Sequence, residues 1–356
     1  MKRTKKLISF VLLTLIVLST FTGCTQAAPA ATTTAAPEAT AEATAESTEA
    51  PADSTQAPAE KIKVALILPG SISDASWNAG AYNGLQYLAA NRDDVEVAYV
   101  ENIGSDQEEA TLTSYAEEGY NLILAFGSEF TANILKVAAL YPDTYFANTD
   151  LTENPDRPAN VSNFYGDQAA ASYIVGVLAG YLSTTDKAGT VEGFESADLS
   201  ANTKNFIAGF QYVKPTGTVE SSYVGSWSDV EKAKQTALAQ IEAGVSFIYA
   251  SGDAIGLGII EAAKEKNILV VGYGTDLNSL APANIVSSVI WNVGVTFNAI
   301  VDDVKNGTFK NTTYSQGLAE GAVILADYHG TVPDDIAAKV EEVKQKLLSG
   351  EIKTVG

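Results

Sequence analysis

The feature that most constrains this chain is an alternation. Short runs rich in Val, Ile, Leu and aromatic residues recur down the sequence, and longer stretches with apolar residues at helical spacing lie between them. Strand patterns fall at residues 62–68, 95–100, 122–126, 144–148, 189–193, 219–224, 247–250, 269–272 and 286–290. Helical patterns such as 77–91, 107–118, 130–139, 229–243 and 254–266 separate them. Strands alternating with helices predict an α/β fold of doubly wound parallel sheets. The strand runs are continuously apolar, as needed where helices cover both faces of a sheet.

Residues 61–356 are more than one typical core holds, which predicts two lobes. An Ala- and Gly-rich helical pattern at 168–182 opens the second lobe. The closing elements, a helix at 295–305, a strand at 322–326 and a helix at 333–348, are too few for a third domain and must pack onto the first two. The expected division is 61–166 plus about 292–321 for the N-terminal lobe, and 167–291 plus about 322–356 for the C-terminal lobe. A hinge joins them, and a cleft lies between. In such sheets ligands sit beyond the carboxyl ends of the strands.

The N-terminus has a different logic. Lys2, Arg3, Lys5 and Lys6 precede a short apolar run that ends at Thr22-Gly23-Cys24, which is the layout of a secretory signal over residues 1–23. Cys24 is the only cysteine, so it forms no internal disulfide, and its position suits lipid modification. Residues 24–60 hold little but Ala, Thr, Pro, Ser and Glu, a composition that predicts a disordered tether. The chain is therefore expected on the extracytoplasmic face of a cell membrane, anchored by lipid on Cys24.

Net charge is −21, and removing the signal takes away four cations and no acids, leaving −25. Such acidity argues against nucleic acid and anionic lipid surfaces as partners. Beyond the signal only Arg92 and Arg157 could supply the usual bidentate clamp for carboxylate or phosphate, which favours a neutral ligand. A monomer is expected.

The predicted strand ends carry most of the chemistry. Asp74, Trp77 and Asn78 follow the first strand, and Phe126-Gly127-Ser128 closes the third. Trp227 and Asp229, Gly252-Asp253, Asp276, and Trp291 follow later ones. Taken singly, each Asp reads as a turn or helix-cap residue and each tryptophan as a lobe cap. Together they suggest aromatics that clamp a flat ligand, with stacking worth about 1–3 kcal/mol per ring.

Catalysis has little support. His329 is the only histidine and lies late in the chain, which leaves no Ser-His or Cys-His pairing and no histidine metal site. It reads as a surface or turn residue. The glycines at 252, 256 and 258 lack dinucleotide-binding spacing and read as a tight turn. No cofactor is expected. A pair of cleft carboxylates cleaving a glycosidic bond remains an alternative, as does a sugar receptor of the same fold.

In order and spacing, Asp74-Ala-Ser-Trp77-Asn78, Glu118-Gly-Tyr-Asn-Leu-Ile123, Tyr141-Pro142-Asp143, Ala171-Ser-Tyr-Ile-Val-Gly-Val-Leu-Ala-Gly180, Trp227-Ser-Asp229 and Val271-Gly-Tyr-Gly-Thr-Asp276 form one pattern. It resembles the basic membrane protein, or PnrA-like, family of substrate-binding lipoproteins serving ABC importers. The resemblance implies a type I periplasmic-binding-protein fold that closes on a purine nucleoside or nucleobase and delivers it to permease subunits. By that likeness Asp74 and Asn78 bond the purine edge, and Trp77 and Trp227 stack on it. Phe126, Gly127 and Ser128 line the pocket, with Gly252 and Asp253 on the second lobe. In nucleoside binders the counterpart of Asp276 holds ribose and a lysine follows the later strand. Here that stretch reads Ser288-Val-Ile-Trp291, without lysine, which fits a free base such as adenine and the tryptophan-bearing branch of the family.

Overall fold

Alternate residues of strand β1 (Ile62–Ile67) enter two different cores, which is why its apolar run is unbroken. In the computed structural model, Val64, Leu66 and Leu68 face one cluster while Ala65 and Ile67 face another. The model describes residues 61–355 apart from Ala75 and Glu153 and the side chains of Ala197 and Asp198. The signal pattern, Cys24 and the tether lie outside the described residues.

The first sheet adds β2 (Val95–Val100), β3 (Leu122–Ala125), β4 (Tyr145–Asn148), β5 (Val161–Gly166) and β11 (Thr313–Gln316) in the order β11-β5-β4-β3-β1-β2. The second consists of β6 (Lys187–Glu192), β7 (Thr218–Tyr223), β8 (Phe247–Ser251), β9 (Leu269–Tyr273), β10 (Ile285–Trp291) and β12 (Val323–Leu325), ordered β12-β10-β9-β8-β6-β7. All pairings are parallel except β10 with β12. The two sheets therefore wind in the same order, giving two similar α/β lobes. The chain passes between sheets from β5 to β6, from β10 to β11 and from β11 to β12.

Helices α1 (Trp77–Asn91) and α8 (Val293–Asn306) pack together beside the first sheet, while α2 (Glu108–Glu117) and α3 (Thr131–Ala138) pair with each other. Beside the second sheet, α4 (Ala169–Leu182) lies against α5 (Ala197–Val213), and α6 (Val230–Glu242) against α7 (Ile255–Lys266). The closing helix α9 (Asp334–Leu348) rests on α4.

Three elements lie outside the strand and helix patterns named from sequence. Strand β5 carries Ser162 and Asn163 inside its run, both buried, and the Ser162 hydroxyl donates to the Lys310 carbonyl oxygen. Helix α5 contains Ser, Asn, Thr and Gly, poor helix formers, and is held by its contact with α4. Strand β11 is a short edge piece, Thr-Tyr-Ser-Gln, in which exposed Thr313 and Ser315 alternate with half-buried Tyr314 and Gln316.

Candidate functional site

The loop from β1 into α1 is organised by Asp74. Its two carboxylate oxygens accept from Ser76 N at 2.9 Å, Asn78 N at 2.8 Å, Ala79 N at 3.0 Å and the Asn78 amide at 2.8 Å. The three backbone donors are free N–H groups of a helix start, where negative charge is favourable. The Asn78 side-chain oxygen accepts from Gly70 N at 3.1 Å. Asp74 and Asn78 are thus bonded to each other and to their own loop, and this scaffold places Trp77 as the first residue of α1.

The Trp77 ring meets Phe126 at 4.4 Å and Trp291 at 5.6 Å, and its Nε1 donates to the Phe126 carbonyl at 3.2 Å. Trp291 ends β10 and is only 6 % exposed. It also touches Phe126 at 5.3 Å, Phe164 at 6.1 Å and Tyr165 at 6.2 Å. A ring from the second sheet is therefore wedged among rings of the first. The cavity bounded by Ser76, Trp77, Gly80, Phe126, Tyr273, Gly274 and Trp291 leaves about 10 Å³ for water centres, roughly one water. The Trp291 Nε1 is buried and has no hydrogen-bond partner.

Trp227 stands apart from this cluster. It is 37 % exposed, edge-on to Phe194 at 5.5 Å, and covers Gly193, whose place would not admit a Cβ beneath the indole. Gly252 lies under the same ring edge, and the Gly252 carbonyl accepts from Ser76 Oγ at 3.5 Å across the seam between the lobes. Asp229 caps α6 by accepting from Lys232 N at 3.0 Å. Asp276 accepts from Asn278 N at 3.1 Å and meets the exposed His329 Nε2 at 2.8 Å. Gly127 continues the backbone past Phe126, and Ser128 is exposed at the start of the following turn.

Asp253 lies two residues past the end of β8 and is partly buried. Burial pushes its carboxyl up to about 7, with Asp74 and Glu129 adding like-charge repulsion. Glu129 is also raised, by desolvation first and by Glu108 second. The Asp253 carboxyl thus feels two carboxyls of the other lobe, and among the described residues none of the three has an ion-pair partner. Among the described residues no group of His, Cys, Asp or Glu is arranged to hold a metal ion.

Ser76, Glu129, Phe194, Tyr273 and Gly274 are at this seam but outside the expected ligand set. Looking just past the carboxyl ends of β6 and β9 reaches Phe194 and Gly274 from sequence. The proximity of Glu129 to Asp253 depends on how the lobes meet, which no local pattern encodes.

The described part of the chain, residues 61–355, matches the family model for the PnrA-like ABC transporter substrate-binding proteins called Bmp. Basic membrane protein A of Borreliella afzelii is 26 % identical over 296 residues, covering 82 % of this chain and 90 % of that protein. A purine-binding protein of Brucella abortus is 28 % identical over 296 residues, covering 82 % and 83 %. An ABC transporter solute-binding protein from Conexibacter woesei superimposes with a TM-score of 0.70 at 26 % identity, covering 83 % of this chain and 98 % of that one. Two lobes of matching winding order, with ligand-type residues gathered at the strand ends between them, belong with these relatives. The chain is a member of the Bmp, or PnrA-like, family of ABC transporter substrate-binding proteins.

Proposed function

We propose that this protein is a lipid-anchored receptor that captures a purine base, adenine-like rather than ribosylated, between its lobes and hands it to the permease of an ABC importer. The observation that carries the reading is the group of strand-end aromatics Trp77, Phe126 and Trp291 at the interlobe seam, which pack on one another at 4.4–5.6 Å and would part to admit a flat base. Flat rings favour a flat ligand, and stacking contributes about 1–3 kcal/mol per base. Two stacks and a few hydrogen bonds are enough for micromolar binding, about −8 kcal/mol. The named function of the Brucella relative supports a purine. A free base is favoured because no lysine follows β10 and because Asp276 is engaged by His329. The signal pattern and Cys24 support an extracytoplasmic position at the membrane.

The test is a thermal-shift and tryptophan-fluorescence titration against adenine, guanine, hypoxanthine and their nucleosides. Adenine is expected to raise the melting temperature and quench indole emission in a saturable way. No change in either signal across the panel would overturn the purine reading.

A further inference from the structure

We propose that the first lobe carries a second binding site, separate from the interlobe seam, for a free α-amino acid with an uncharged polar side chain. A cavity of about 170 Å³ lies under the chain between β4 and β5, against about 10 Å³ at the aromatic seam. Its lining comes from α3, β4, β5 and the connection between those two strands, so binding there needs no closure of the lobes. Asn148 and Asn163 stand in register on β4 and β5 and, two residues on from Phe146 and Val161, share their sheet face. Phe126, Phe164 and Trp291 belong to the core on the opposite face.

The floor of the cavity asks for a polar tip. Asn163 is 3 % exposed and lines the cavity, and among the described residues its side-chain amide makes no hydrogen bond. Asn148, as deeply buried, gives Nδ2 to Thr131 Oγ1 at 2.8 Å and keeps its carbonyl oxygen for another donor. A buried amide without a partner is destabilising, and a solute that both donates and accepts at its tip satisfies the two side chains together. Ile134 and Val161, buried beside them, supply an apolar wall for the stem of such a side chain.

The half-buried side of the cavity carries one charge of each sign, held apart. Asp150 accepts from Thr131 Oγ1 at 2.6 Å and from Thr152 N at 2.8 Å. Burial works against its charge, yet these hydrogen bonds and the Arg157 guanidinium nearby hold the carboxyl below the usual carboxylate range. Arg157 reaches the carbonyls of Thr152 and Thr312 at 3.4 and 3.5 Å. Those bonds fix the guanidinium in the wall and use two of its five N–H groups, so the rest can meet a carboxylate. Among the described residues neither Asp150 nor Arg157 forms an ion pair, with the other or elsewhere. An α-ammonium against Asp150 and an α-carboxylate against Arg157 answer both charges, whereas a sugar or a purine leaves them unmatched.

The experiment is calorimetry of the full-length chain with L-glutamine, L-asparagine, L-serine, L-leucine and L-glutamate. The tightest ligand is then compared with its N-acetyl and α-carboxamide derivatives, each of which lacks one charge. One of the three polar amino acids is expected to bind one per chain, tighter than leucine and glutamate. Removing either charge from that ligand is expected to weaken binding about tenfold or more. Asn163→Leu, similar in size, should erase the preference over leucine. In Arg157→Gln the parent ligand should bind weakly, and amidating its carboxylate should cost little more. Absence of binding by all five amino acids would overturn the site. Binding indifferent to both ligand charges, or an Asn163→Leu protein with the parent's preference, would overturn it as well.

Discussion

Arg92 and Trp227 show how differently two side chains can be used in this chain. Arg92, at the end of α1, meets both oxygens of Asp94 at 2.9 Å and reaches Asn298 and Asp302 on α8. Asp94 also pairs with Lys305. The guanidinium first, and then Lys305, hold the Asp94 carboxyl well below the usual carboxylate range. A depressed folded-state value means the stabilisation is present above about pH 4 and is lost as pH falls through the folded value. Arg92→Gln is expected to cost about 1–3 kcal/mol at neutral pH, by chemical denaturation, with the penalty shrinking toward pH 2. Arg92→Lys should recover only part of it, because the planar fork is lost. A penalty of equal size at pH 2 and pH 7 would rule out the ion pairs as its source. Arg157 donates to the loop carbonyls of Thr152 and Thr312, so the two arginines expected from sequence to be scarce anion clamps are both tied to backbone or to Asp. Trp227, by contrast, is left open at the lip of the second lobe. Trp227→Ala is expected to weaken purine binding about tenfold or more, the equivalent of one lost stack at about 1–3 kcal/mol. Parent-like affinity would reduce Trp227 to a cover for Gly193 and Gly252.

Among the elements, α4 and α5 approach each other closely, and glycines permit it. A Cβ at Gly209 would lie 1.9 Å from the Tyr173 carbonyl oxygen, and one at Gly176 would lie 2.1 Å from that of Phe206. Backbone cannot yield as a side chain can, so Gly209→Ala is expected to cost about 1–3 kcal/mol or more, seen as a lower unfolding midpoint. An unchanged midpoint would show that the helices separate without penalty. This contact also explains what was legible in the sequence. The small-residue periodicity of 168–182 marks α4 as a packed helix, and the continuous apolar runs mark the strands buried on both faces. Helix α5 has neither mark, since its partner supplies the stability that its Asn, Ser and Thr residues withhold. Strand β5 breaks its apolar run with Ser162 and Asn163, and the Ser162 hydroxyl and the Asn163 backbone N–H are answered by Lys310 and Thr312, about 150 positions away. The strand-end aromatics of the site were readable for the same local reason as the strands. The convergence of Asp74, Glu129 and Asp253 is a product of tertiary approach and has no local signature.

At the scale of the whole molecule, the two lobes meet at Ser76 as well as around Trp291. Ser76 sits between Gly252 and Gly274, and Gly274 has φ +90° with room for no side chain: its Cβ would fall 2.7 Å from Ser76 Oγ and 2.9 Å from Ser76 Cα. Closure therefore depends on a bare backbone at this position. Gly274→Ala adds both a methyl group in the seam and a left-handed backbone penalty of about 1–2 kcal/mol. Since 1.4 kcal/mol is a factor of ten in an equilibrium, the closed population and hence the apparent purine affinity are expected to fall about tenfold or more. Small-angle scattering of the ligand-free variant should show a larger radius of gyration than the parent. Gly244→Ala separates the two effects, because Gly244 has φ +97° yet its Cβ would meet only the Lys187 side chain, at 3.7 Å. That variant carries a comparable backbone penalty away from the seam and is expected to lose stability without losing affinity. Equal affinity losses in the two variants, or a Gly274→Ala protein as compact and as tight-binding as the parent, would mean that lobe closure does not pass through Ser76 and Gly274.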